Sequence, residues 1–155
     1  MIIKRGSLLK ILALFVFFQS CEQRTASEAG SNTAVVSEFR NEIRKEPIAT
    51  YKEKVENSIN DWYFSVQLFE TKKTFSFLLK MQYEEVRGED TVKIPDFGME
   101  PKPVIRKGKD HYSCIIGFMD KENQFREYKE VSVKEGRELK LTTLNHYTVV
   151  AEPAK

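Results

Sequence analysis

The chain has 155 residues, 41% hydrophobic and 31% charged, with 25 Lys and Arg against 23 Asp and Glu. Lys4, Arg5 and Lys10 lie within the first 20 residues, so the remainder holds 22 basic against 23 acidic side chains. It lacks the basic excess that a nucleic-acid partner requires. Two cysteines, Cys21 and Cys114, exclude a disulfide-rich scaffold, so the fold must rest on its core.

Residues 11–18 are an unbroken apolar run after a basic start, and Gln19, Ser20 and Cys21 close it. A basic start, a short apolar core and a small residue at the cut are the layout of an export signal. The run falls short of the ~20 apolar residues of a spanning helix. The ending Phe18-Gln19-Ser20-Cys21 resembles the lipobox of bacterial lipoproteins; Ser20 and Cys21 carry the match, whereas Phe18 and Gln19 depart from it. The resemblance covers residues 1–21 alone. It implies that residues 1–20 are a signal peptide removed by signal peptidase II. Cys21 then carries acyl chains such as palmitate and ties the protein to a bacterial cell-envelope membrane. Glu22 after the cysteine, in place of Asp, favours the outer membrane. An acylated Cys21 leaves Cys114 without an intrachain partner.

Residues 22–34 contain no large apolar side chain. With the cysteine they read as a flexible tether, 21–34, whose random-coil reach is roughly 20 Å. Residues 35–61 read as a helical segment. Phe39 and Ile43 are four apart, Pro47 interrupts, and Thr50 with Glu53 forms a capping box. Tyr51, Val55 and Ile59 follow at four-residue steps. Residues 48–51 alternatively open an edge strand.

From Trp62 the period becomes two. Trp62, Phe64, Val66 and Leu68 alternate with polar residues, and Phe75, Phe77, Leu79, Met81 and Tyr83 do so after a short polar connection. The two runs predict a hairpin. Residues 84–90 read as a loop, and residues 91–94 as a short strand. Pro95, Pro101 and Pro103 exclude helix from 95–103. Residues 104–105 pair briefly. Residues 111–119 are apolar on both faces, as in a central strand. The step of three from Phe125 to Tyr128 to Val131 predicts a β-bulge. Leu139 and Leu141, then Tyr147 and Val149, complete the sheet as one bent strand.

The expected fold is an all-β antiparallel sandwich over 62–152, immunoglobulin-like or transthyretin-like, behind a tether and one short helix. The alternative is an α+β fold with the helix packed across a curved antiparallel sheet. In either, the helix is expected to cover Tyr63 and Phe69, which would otherwise form an exposed patch.

Little in the chain points to catalysis. No Gly-x-Ser-x-Gly turn presents a nucleophile, and Cys114 on an apolar strand face is a small inert hydrophobe. His111 and His146 have no partner at metal-ligand spacing, so no metal site is expected. The tripeptide Asp96-Phe97-Gly98 matches a kinase motif whose other parts are missing. The partner-binding candidates are Phe97 and Met99 in the proline-rich loop, with Lys102, Arg106 and Lys107 as an adjoining basic cluster. The bland readings are favoured: the two apolar side chains cap the sandwich and the cations are solvated. The sequence therefore predicts a non-enzymatic binding or assembly domain with no cofactor beyond the lipid on Cys21. It would be anchored to a membrane and engage another envelope protein, as in a secretion or conjugative-transfer apparatus. An inhibitor or immunity protein that blocks a toxin or enzyme is the alternative, and an envelope enzyme the third.

Overall fold

The computed structural model describes residues 36–56, 59–135 and 137–148. The signal, Cys21, the tether and Val149 lie outside them. Eight strands follow in order: β1 (Ala49–Lys54), β2 (Tyr63–Glu70), β3 (Ser76–Tyr83), β4 (Val86–Lys93), β5 (Lys102–Lys107), β6 (Ser113–Met119), β7 (Phe125–Lys134) and β8 (Glu138–Thr143). They form two four-stranded antiparallel sheets, β1-β2-β3-β4 and β5-β6-β7-β8. Every strand pairs only with its neighbour in sequence. Each sheet is thus a plain meander, without the Greek-key connection of an immunoglobulin domain.

The two sheets share one core. Phe64, Val66 and Leu68 of β2 and Phe77, Leu79 and Met81 of β3 meet Cys114, Ile116 and Phe118 of β6 and Val131 of β7. These are the alternate positions read from the sequence, and the β2–β3 hairpin forms with Leu68 opposite Leu79. The bulge is also present. Ile116 and Gly117 of β6 face Lys129 and Glu127 of β7, which leaves Tyr128 as the extra residue. Its ring packs on Phe118, centroids 6.3 Å apart.

The helix expected within 35–61 is absent; no helix occurs among the described residues. Ala49–Lys54 is instead the edge strand β1, in register with β2 from Ala49 opposite Leu68 to Lys54 opposite Tyr63. Four-residue spacing does not separate the two structures, because four is also twice the strand period. Tyr51 turns inward against Phe64, centroids 6.0 Å apart. Val55 is buried, but Ile59, the next step, is fully exposed. Tyr63 and Phe69 are consequently covered by single side chains and not by a helix. Lys52 Nζ lies 3.6 Å from the Tyr63 ring centroid, and Lys80 Nζ lies 5.5 Å from that of Phe69. Residues 86–90, expected in a loop, belong to β4, whose charged, mostly exposed sequence suits an edge. The last strand stops at Thr143.

Candidate functional site

Alternation of direction in two successive meanders sorts the connections into two poles. The β2–β3 and β6–β7 turns, the β4–β5 connection and both ends of the described domain gather at one pole. The β1–β2, β3–β4, β5–β6 and β7–β8 turns gather at the other.

The first pole is closed by a strap, residues 36–47, laid over the β2–β3 turn. Thr74 N–H donates to the Glu38 carbonyl and Arg40 N–H to the Lys72 carbonyl, each at 2.9 Å. The Arg40 side chain, only 9% exposed, plugs the turn. Its Nη1 donates to the carbonyls of Thr71 (2.9 Å) and Lys73 (2.7 Å), and its Nη2 to that of Thr74. The guanidinium carbon stands 4.8 Å from the Phe77 ring centroid, and Nε lies 3.8 Å from Glu70 Oε1. A planar fork with five donors suits three converging carbonyls.

At the same pole Phe97 stacks on Phe118 (5.2 Å, 26°) and meets Tyr147 edge-on (6.4 Å). This half-buried ring closes the sandwich from the β4–β5 connection. Met99 is also half-buried. The basic cluster is dispersed. Lys102 is exposed at the start of β5, Arg106 lies over the Phe125 ring at 4.0 Å, and Lys107 Nζ is 4.0 Å from Glu53 Oε1. Lys102 and Arg106 share the outer face of β5, Lys107 falls on its other face, and Phe97 and Met99 belong to the β4–β5 connection, so the five do not form one surface.

The opposite pole carries an open cleft of about 600 Å³ between the two sheets. Two ties fix its frame. Arg137 Nη1 in the β7–β8 turn meets Glu84 Oε2 in the β3–β4 turn at 2.9 Å. The Tyr112 hydroxyl, preceding β6, accepts from Glu56 N–H at 2.9 Å. Tyr112 also packs against Tyr83 with centroids 5.2 Å apart and rings tilted by 50°, and its carbonyl accepts from Val133 N–H. Glu84, Tyr112 and Arg137 all have left-handed backbones, φ 53°, 51° and 68°. That conformation is uncommon for residues other than glycine, asparagine and aspartate. Half-buried Trp62 and fully exposed Ile59 line the cleft.

The lining of the cleft contains no Ser, Thr, Cys or His among the described residues. Burial, and then the Glu84 charge, raises the Tyr83 phenol above its ordinary value, so it stays a neutral hydroxyl. Glu53, near Lys107 and His111, accepts from the Tyr51 hydroxyl at 2.7 Å. Cys114 is fully buried in the core, and burial pushes its thiol up to about 12. Among the described residues no group of three His, Cys, Asp or Glu side chains stands where it can hold a metal ion.

The sequence reading missed Glu84, Tyr112 and Arg137 because none is a residue that announces a left-handed turn. Trp62 was assigned to a strand, and Ile59 to the buried face of a helix. No family model, curated protein or solved structure matches the chain.

Proposed function

We propose that the protein is a membrane-anchored, non-enzymatic binding or assembly module of a bacterial cell envelope, tied by an acylated Cys21. In this reading it engages another envelope protein through the pole that carries the Ile59–Trp62 cleft. The observation that supports this most is the polarity of the meanders. The strap that leads back toward Cys21 meets the domain at one pole, and the braced cleft lies at the other. A domain held from its strap pole leaves the cleft free to meet a partner. Exposed Ile59 beside half-buried Trp62 is the apolar anchor such a contact needs, and the braced turns reduce the cost of ordering it.

Crosslinking and mass spectrometry of the native protein in its own membrane tests this reading. The expected result is an envelope protein crosslinked near residues 59–62, its recovery falling with Ile59→Asp. Cys21→Ser is expected to block maturation and acylation. An unmodified mature chain cut elsewhere than before Cys21 would refute the anchor. Crosslinks confined to the strap pole would refute the assignment of the cleft.

A further inference from the structure

We propose that the outer face of the first sheet binds an anionic polysaccharide. The domain is close to neutral, yet this face is not. The register puts Lys52, Ser65, Gln82 and Arg87 in one row across four strands, and Thr50, Gln67, Lys80 and Glu89 in the next. Lys93 follows at the end of β4, opposite Ser76. Glu89 takes Lys80 at 3.3 Å. Among the described residues, Lys52, Arg87 and Lys93 have no carboxylate within ion-pair distance. Neighbouring strands lie ~4.8 Å apart, so Lys52 and Arg87 stand about 14 Å apart. Arg87 and Lys93 are separated by about 20 Å along β4 at ~3.3 Å per residue.

Between Lys52 and Arg87 the face is hydroxyl and amide, and the row of Phe69, Leu78 and Thr91 separates Glu89 from Lys93. Ser65, Gln67 and Gln82 line two shallow grooves of about 200 and 290 Å³ that run into each other at those three residues. The ammonium of Lys52 rests on Tyr63 and that of Lys80 on Phe69, which limits the rotamer freedom lost on binding. A flat strip of donors and acceptors flanked by spaced cations matches a chain with hydroxyls along its length and anionic groups at intervals. A peptide would instead need pockets for side chains, and a bilayer would need exposed apolar side chains to insert. The strip offers neither, because Lys52 and Lys80 cover Tyr63 and Phe69, and Trp62 and Leu78 are half-buried.

The experiment is titration of the full chain with polygalacturonate, whose charges are carboxylates, and with a phosphomannan, whose charges are phosphodiesters. Neutral dextran, polyglutamate and vesicles of anionic phospholipid serve as the alternatives. At least one anionic glycan is expected to bind, less tightly as salt rises, and dextran not to bind. Arg87→Glu with Lys93→Glu should weaken binding by about tenfold or more, since both positions are exposed cations facing the ligand. Gln67→Ala should weaken it with the salt dependence unchanged, Gln82 being kept because its Nε2 donates to the Glu84 carbonyl. An unaltered thermal midpoint in both variants separates lost binding from lost folding. Failure to bind either glycan, or binding that survives the charge reversal, overturns the proposal. So does polyglutamate binding as tightly as the glycans, or vesicle binding that the charge reversal abolishes. Trp62 borders both the cleft and the second groove, but Ile59 lines only the cleft, so Ile59→Asp should leave glycan binding unchanged.

Discussion

Glu84 and Arg137 join the two sheets at 2.9 Å through turns that are 53 residues apart in sequence. The glutamate is 8% exposed, whereas the arginine side chain retains 65% of its exposure. The pair is thus unequal: only the acid depends on its partner for solvation. Arg137→Ala leaves that carboxylate buried without its cation and should cost about 1–2 kcal/mol, below the value for a fully buried pair. The double variant with Glu84→Gln should recover part of the loss, because no charge is then stranded. Urea unfolding of the four chains of this cycle measures the difference.

Arg40 is the corresponding fastener at the other pole. Arg40→Ala withdraws donors from the carbonyls of Thr71, Lys73 and Thr74. It should cost about 2–4 kcal/mol in the attachment of the strap, with the core elements intact. Limited trypsin digestion reads this directly, through faster cleavage after Arg44 and Lys45 while β2 to β8 remain protected. Arg40→Lys keeps the charge but lacks the planar fork, so it should restore the parent pattern only in part.

Gly117 makes room for an aromatic ring on the outer face of the second sheet. A methyl group there would overlap the Phe125 ring and the Arg126 carbonyl. The bulge shifts Phe125 over this glycine, and Arg106 covers the ring from outside at 4.0 Å. Gly117→Ala should therefore destabilise the domain by about 1–3 kcal/mol, as overpacking does. Phe125→Leu in the same chain should relieve some of that strain. Thermal unfolding of the single and double variants checks both statements.

The legible parts of the chain were those where one face is buried and the other wet. Phe64-Val66-Leu68 and Phe77-Leu79-Met81 announce their strands because burial writes a period of two into the side chains. The bulge at Tyr128 was legible for the same reason, since an extra residue shifts the apolar phase. Edge strands carry less of this signal. Tyr51 and Val55 repeat at a spacing that helix and strand share, and β4 has one buried apolar residue, Val92, in eight. The cleft was illegible because it is assembled from turns that meet only when both sheets are stacked. Its left-handed residues, Glu84, Tyr112 and Arg137, sit in turns, and none is of a type that marks that conformation in a sequence. The candidate loop was legible in its rigidity, and Phe97 takes the capping arrangement favoured for it, facing Phe118 and Tyr147.

The core also sets how the domain responds to alkali. Burial first, with the Glu130 charge adding to it, raises the Cys114 thiol to about 12. An unfolded chain releases this proton near pH 8.5. Between those values the folded state holds more protons than the unfolded one, so stability falls as pH rises. Below pH 8.5 the contribution is fully present, and by pH 12 it is lost. The slope from this thiol alone approaches about 1.4 kcal/mol per pH unit across that window. Tyr51, Tyr83 and Tyr147 act in the same direction, because burial raises each phenol above its ordinary value and their window opens higher, near pH 10. Cys114→Ala removes the sulfur from a fully packed position and should cost about 1 kcal/mol at pH 7. The same variant should lose stability less steeply than the parent between pH 8.5 and 10, where the tyrosines still contribute little. Equal slopes in the two chains over that interval, measured by urea unfolding at fixed ionic strength, would show that Cys114 is not the group that titrates. Alkylation gives an independent reading: iodoacetamide at pH 8 should leave Cys114 unmodified in the folded chain and label it fully in urea.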